Sequence, residues 1–241
     1  MKSITSYIPN TITSLNLFSG CISCVMAFNG NFFWAAMFIL FASVFDFFDG
    51  MMARLLNAHS NIGKELDSLA DMVSFGVAPG VVMYTWLTLY SPDPKILPFV
   101  AFLIPVFSAL RLAKFNIDER QTSSFIGLPT PANAIFLTSF IALVSLEDSV
   151  FSLSPDSVII TISQSVYFIV PLIIVFSLLL VCELPMFSLK FHDLTWQDNK
   201  VRFIFLGLSV ILLLFFWWAA IPMVILLFIL MSVGIWLKNR K

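Results

Sequence analysis

Charge is missing from long stretches of this chain, and the distances between charged positions measure its helices. A helix needs about 20 mostly apolar residues, within a range of roughly 17–25, to cross a hydrocarbon core of about 30 Å. No charge occurs from residue 3 to residue 45, and only Asn29-Gly30-Asn31 interrupts the run, which predicts two spans joined by a tight turn. Residues 72–92 end at Ser91-Pro92-Asp93-Pro94 and give a third span; Ile96 to Leu110, closed by Arg111, give a fourth. Stretches 121–146 and 157–182 supply the fifth and sixth. The last gap, 203–237, holds two short spans if the chain reverses near Trp218-Ala219-Ala220-Ile221-Pro222, where Pro222 suits a first helical turn and Trp217 and Trp218 suit a headgroup belt. The expectation is all-α: a polytopic membrane helix bundle of about eight transmembrane helices, one domain over residues 1–241.

Basic residues then orient the bundle, because connections on the cytoplasmic side collect them. With eight spans and both termini cytoplasmic, Lys2, Arg54, Lys64, Arg111, Lys114, Arg120, Lys190, Lys200, Arg202, Lys238, Arg240 and Lys241 fall inside, and Lys95 falls outside. This is the pattern of a cell (inner) membrane protein. No small-residue cleavage site closes the first apolar stretch, so a removed leader is not expected. Phe187-Ser188-Leu189-Lys190-Phe191 is short and amphipathic enough to lie along the interface.

Composition agrees. Of 241 residues, 59% are hydrophobic and 11% charged, against about 25% charged in soluble domains, too few to solvate a compact surface. Mean hydropathy is +0.97. A formal net charge of -1 leaves no global basic field for nucleic acid. Cys21, Cys24 and Cys182 are too few and too scattered for a disulfide framework, and the Cys21-x-x-Cys24 pair sits in an apolar run with no second Cys/His pair, so it reads as helix packing. The phenylalanines of the second span, Phe32, Phe33, Phe38, Phe41, Phe45, Phe47 and Phe48, read as lipid-facing or packing surface.

Against this background four acids stand out. Asp46 and Asp49 are spaced i, i+3 near the end of the second span, and Asp67 and Asp71 are spaced i, i+4 near the start of the third. On helices each pair shares a face, and two antiparallel neighbours bring all four to one depth. Each uncompensated acid at mid-bilayer costs on the order of 2.5–3.5 kcal/mol. Arg54 and Lys64 cannot offset four mutually repelling carboxylates, whereas divalent cations can. The ligand atoms are hard oxygens with no Cys or His among them, which points to Mg²⁺, Mn²⁺ or Ca²⁺ rather than zinc. A pair of such ions suits phosphoryl chemistry. Gly50 and Ala53 leave room against the second helix, Gly63 does so at the start of the third, and Arg54 offers a planar fork for phosphate oxygens.

The string D-x-x-D-G-x-x-A-R-x8-G-x-x-x-D-x-x-x-D, met from Asp46 to Asp71, resembles the signature of the CDP-alcohol phosphatidyltransferases. The resemblance implies attack of an alcohol hydroxyl on the lipid-linked phosphate of a CDP-linked lipid, with release of CMP, at the cytoplasmic membrane interface. It implies two divalent cations, Mg²⁺ or Mn²⁺, bound by Asp46, Asp49, Asp67 and Asp71, with Asp71 also the general base. It places Gly50, Ala53, Arg54 and Gly63 against the CDP-lipid and gives Ser60 a hydrogen bond to a phosphate. The family's frequent dimers leave a homodimer open.

Three further segments resemble the phosphatidylserine synthase branch: Asp67 to Pro79, Arg111-Leu112-Ala113-Lys114-Phe115-Asn116, and Phe125-Ile126-Gly127-Leu128-Pro129-Thr130-Pro131. Pro9-Asn10 with Thr13 and Asn16 also resembles that branch, where this stretch lies near the nucleotide. Lys114 departs from it, standing where an Arg is usual. The implied substrates are CDP-diacylglycerol and L-serine. Serine carries a carboxylate and an ammonium, so Arg111 is the candidate for the first and Asn116 for the second. Arg111 and Lys114 also fit plain positive-inside anchoring, and Gly127-Leu128-Pro129 also fits a plain loop turn. His59 reads as solvated, and His192 is unassigned. Two alternatives stand beside serine transfer: the same chemistry with glycerol 3-phosphate or an inositol phosphate, and a divalent-cation transporter, since intramembrane acids also mark ion paths. Acids at one end of the bundle and the Gly50-x-x-Ala53-Arg54 motif argue against transport.

Overall fold

A computed structural model describes residues 7–58, 60–93, 95–117, 125–145, 158–187 and 195–239. Ten helices account for most of them: α1 (Ile8–Phe28), α2 (Phe32–Leu55), α3 (Asn61–Asp71), α4 (Ala78–Tyr90), α5 (Leu103–Ile117), α6 (Thr130–Val144), α7 (Val158–Gln164), α8 (Val166–Val181), α9 (Trp196–Phe216) and α10 (Ala220–Asn239). The protein is all-α and polytopic: five helical stretches, Ile8–Phe28, Phe32–Leu55, Asn61–Tyr90, Leu97–Ile117 and Asn199–Lys238, are long and apolar enough to cross a membrane. His59, His192 and most of the expected interfacial segment at 187–191 lie outside the described residues.

The first turn falls where the polar triplet put it. Gly30, at φ 75°, reverses the chain between α1 and α2, a conformation that costs glycine little. Small residues then let the two helices lie close: Ala27, Ala35 and Ala36 are buried, and Ser23 Oγ donates to the Ala35 carbonyl at 2.8 Å.

The third span is longer than its charge-free stretch suggested. It runs from Asn61 to Tyr90, with a wide π turn over Met72–Val77 joining α3 to α4. That turn is enclosed by α1, α5 and α6. Gly20 of α1 and Gly76 of the turn itself permit the approach; a Cβ on Gly76 would lie 3.2 Å from Ser108 Cβ on α5. The fourth stretch enters through a 3-10 segment, Leu97–Phe102, and continues as α5 to Ile117.

α6 has 15 residues, about 22 Å at 1.5 Å per residue, short for a lipid-exposed span. It is the packed centre instead: 11 of its residues are buried, from Thr130 to Val144, against α2, α4 and α10. Phe136 stacks on Phe176 of α8 at 4.1 Å between ring centroids. The sixth stretch is broken at Ser165, between α7 and α8.

α9 and α10 form a hairpin. Trp217, at φ 49°, ends α9, and Phe205 and Phe228, nearly equidistant from that turn, meet at 5.9 Å between ring centroids. Leu206, Leu208, Ile211, Leu214 and Phe215 are exposed along it, as expected of side chains solvated by acyl chains. The two-residue ladder Phe125–Ile126 with Pro185–Met186 is the extended structure present among the described residues.

Candidate active site

α2 and α3 present the two acid pairs to each other. One carboxylate oxygen from each of Asp46, Asp49 and Asp67 lies within 4.8 Å of the other two. Asp71 joins them, within hydrogen-bonding reach of Asp46. All four acids therefore share one site, and Asp49 is 5% exposed. Asp49 Oδ2 and Asp67 Oδ1 are buried with no hydrogen-bond partner among the described residues. Buried carboxylate oxygens left without donors are rare and costly, and a cation ligated by them removes the cost. An all-carboxylate donor set fits a hard divalent ion such as Mg²⁺ or Mn²⁺.

Beside the acids lies a cavity of about 430 Å³, walled by Pro9, Asn10 and Thr13 of α1, Asp49, Gly50, Ala53 and Arg54 of α2, Ala58 of the turn, and Ser60, Asn61, Gly63, Lys64 and Asp67 around the start of α3. The residues that the resemblance assigns to the CDP-lipid, Asn10, Thr13, Gly50, Ala53, Arg54, Ser60 and Gly63, all lie on this wall. The glycines shape it. A Cβ on Gly63 would stand 3.0 Å from both Asn10 Oδ1 and Ser60 Oγ. At Gly50 the nearest atom to such a Cβ is Arg54 Nη1 at 3.6 Å, so the missing side chain is open space under the guanidinium.

Ser60 has a local duty that the motif did not reveal. It is the N-cap of α3, its Oγ accepting from the Gly63 N–H at 3.0 Å. Accepting there uses a lone pair of the hydroxyl and not its hydrogen, and Ser60 lines the cavity. Thr13 Oγ1 donates to the Pro9 carbonyl at 3.0 Å and lies within reach of the Asp49 carboxylate.

The two acceptor candidates part company. Arg111 is 7% exposed, its guanidinium 5.8 Å from the Phe115 ring and within electrostatic reach of Asp71, and its Nε has no partner among the described residues. An arginine that merely anchored the helix would reach outward to water, as exposed Lys114 does. Asn116 packs against α3, its Nδ2 donating to Ser68 Oγ at 3.0 Å while its backbone carbonyl accepts from Lys64 Nζ at 3.5 Å. It ties the end of α5 to α3 next to Asp67.

Gly127-Leu128-Pro129 stays away from the cavity wall. Gly127, at φ 78°, donates its N–H to the Leu184 carbonyl at 2.9 Å, Leu128 donates to the Leu179 carbonyl at 2.8 Å, and Leu128 is fully buried. The turn docks on the end of α8. Cys21, Cys24 and Cys182 are free thiols.

Three residues take places at the site that the motif reading did not assign them. Lys64 and Asn61 wall the cavity. Asn16 donates from Nδ2 to Asp71 Oδ1 at 3.2 Å. Asn16 was named with Pro9, Asn10 and Thr13 for its likeness to the synthase branch, and an amide in the middle of an apolar helix needs a partner, but neither signal gave its bond to Asp71.

With four acids, a basic fork and a small-residue floor at one site, the class is defined, and comparison with known proteins agrees. The family model for CDP-alcohol phosphatidyltransferase matches residues 6–177, and the chain belongs to that family. It is 42% identical over 130 residues to the CDP-diacylglycerol–serine O-phosphatidyltransferase of Bacillus subtilis, covering 52% of this chain and 70% of that one. To the enzyme of the same name from Helicobacter pylori strain J99 it is 38% identical over 137 residues, 56% of this chain and 57% of the relative. To the archaetidylserine synthase of Methanothermobacter thermautotrophicus it is 36% identical over 144 residues, 58% and 60% of the two chains. The match thus spans less than two thirds of the latter two relatives.

Proposed function

We propose that this protein transfers the phosphatidyl group of CDP-diacylglycerol to the hydroxyl of L-serine, giving phosphatidylserine and CMP, at the cytoplasmic face of the cell membrane. The carrying observation is that Asp49 and Asp67 of the acid cluster line the same cavity as Gly50, Ala53, Gly63 and Arg54. The names of the relatives support serine as the acceptor.

The cavity holds the nucleotide and pyrophosphate while the acyl chains stay between the helices and the bilayer. Arg54 binds phosphate oxygens as a planar fork. Two divalent cations, Mg²⁺ or Mn²⁺, held by Asp46, Asp49, Asp67 and Asp71, would neutralise the acids and spread the charge that develops on the transferring phosphoryl group. Asp71 takes the proton of the serine hydroxyl as its oxygen forms the new bond to phosphorus, and the bond to the CMP oxygen breaks. Arg111 holds the serine carboxylate, its buried guanidinium lying within electrostatic reach of Asp71.

Asp71→Asn and Asp49→Asn separate the roles. Asp71→Asn lowers turnover by about a hundred- to ten-thousandfold while CDP-diacylglycerol still binds. Asp49→Asn impairs both. Near wild-type turnover in either variant, with Mg²⁺ or Mn²⁺ supplied, would overturn the role of that residue.

A further inference from the structure

The acid site has a polar neighbour on α1 that lies outside the acid motif. Asn16 is fully buried, 0% exposed. Its side-chain nitrogen is committed to Asp71 Oδ1, and its backbone carbonyl accepts from Ser74 Oγ at 2.9 Å, in the wide turn that follows Asp71. The remaining polar atom, Oδ1, is buried and has no donor among the described residues. An amide oxygen sealed from water without a donor is costly, so an N–H delivered to it by a ligand recovers an interaction the free protein forgoes.

We infer that Asn16 is a specificity-determining residue: its orphaned Oδ1 receives the ammonium of an amino-alcohol acceptor whose hydroxyl is held at Asp71. This rests on the reading of L-serine as acceptor and Asp71 as base. The two polar atoms of one amide share a carbon, so a donor at Oδ1 is held next to the Asp71 oxygen that Nδ2 binds. In serine the ammonium and the hydroxyl are on adjacent carbons. A hydroxyl presented to Asp71 therefore brings the ammonium to Asn16, and Arg111 remains for the carboxylate. A neutral amide is suited to this task, since it accepts from the ammonium without adding a fifth carboxylate to the site. An acceptor such as glycerol 3-phosphate has no cation to offer here, and Oδ1 would stay unpaired.

The test compares L-serine with 3-hydroxypropanoate, which is serine without its amino group, as competitor or acceptor for the intact enzyme with Mg²⁺ or Mn²⁺. Asn16→Leu removes both polar atoms, and Asn16→Asp keeps an acceptor while losing the donor to Asp71. The wild type prefers L-serine, comparing its KM with the inhibition constant of 3-hydroxypropanoate. Asn16→Leu narrows that gap by about tenfold or more through a raised serine KM. Asn16→Asp lowers kcat but keeps the gap, and the KM for CDP-diacylglycerol stays within about twofold of wild type in both. If Asn16→Leu does not fold in detergent, Asn16→Thr, too short to reach the ammonium, carries the same comparison. An unchanged gap in the Leu or Thr variant, or an equal loss for both acceptors, overturns the inference and leaves Asn16 as a support for Asp71. If the wild type does not use L-serine, or Asp71→Asn retains turnover, the reading beneath the inference fails instead.

Discussion

A Cβ on Gly20 would lie 2.4 Å from Ser74 Oγ and 2.8 Å from Ser74 Cα, so α1 and the wide turn after Asp71 touch backbone to side chain at this point. One helical turn before Gly20, Asn16 binds Asp71 and receives the Ser74 hydroxyl. The acid site is therefore braced by a contact that only glycine permits.

Gly20→Ala should cost about 1–3 kcal/mol, because the backbone of the turn has to shift to relieve the overlap. Gly207→Ala is the matching control: nothing lies within 4 Å of its would-be Cβ, so it should be neutral or slightly stabilising. Thermal unfolding in detergent reads both, and a neutral Gly20→Ala would mean that α1 and the turn are not held at this distance.

Gly127→Ala meets two penalties at once. Its φ of 78° disfavours any Cβ, and that Cβ would lie 2.5 Å from the Leu180 carbonyl oxygen. The variant should lose about 2 kcal/mol or more in the same assay, with KM for both substrates unchanged in the fraction that stays folded. A changed KM at full stability would give this turn a substrate contact that the structure does not.

Ser60 offers a clean separation of capping from catalysis. Ser60→Ala should cost about 1 kcal/mol of stability through loss of the α3 N-cap, and Ser60→Asp should restore it. If the hydroxyl also binds a phosphate, both variants raise the KM for CDP-diacylglycerol, Asp more than Ala because it adds a negative charge beside the pyrophosphate. Equal KM values in all three proteins would leave Ser60 as a cap alone.

Arg111 and Lys114 should behave differently although both are basic residues near the end of α5. Lys114 is exposed, and Lys114→Ala should leave kinetics within about twofold. Arg111→Lys, which loses the planar fork inside a buried site, should raise the KM for L-serine about tenfold or more with little change for CDP-diacylglycerol. Steady-state kinetics with each substrate varied in turn decides this, and an unchanged serine KM would remove Arg111 from the acceptor pocket.

Much of this was legible in the residue pattern. Charge-free stretches, with the Asn29-Gly30-Asn31 triplet and the expected reversal near Trp218–Pro222, came close to the observed turns at Gly30, Ser91 and Trp217, because in lipid the absence of charge is itself the structural constraint. The paired spacing of Asp46 with Asp49 and Asp67 with Asp71 revealed the acid site because buried like charges must share a purpose. The wide turn at Met72–Val77 went unread, although Pro79, which lacks a backbone N–H, follows it in the first turn of α4; α1, α5 and α6 pack around it. Ser60 was read for its chemistry and missed as a cap, since the start of α3 precedes the apolar stretch that located the third span. The hydrogen bond from Asn116 to Ser68, 48 positions away, was not legible, since no local pattern signals that pairing.

The most direct measurement of the central claim is CMP release by purified protein from CDP-diacylglycerol, with L-serine, glycerol 3-phosphate or an inositol phosphate, each with and without Mg²⁺ or Mn²⁺. CMP should appear with L-serine and a divalent ion together, and should stop when the ion is chelated. CMP release that depends on glycerol 3-phosphate but not L-serine, or that continues undiminished after chelation, would contradict the account.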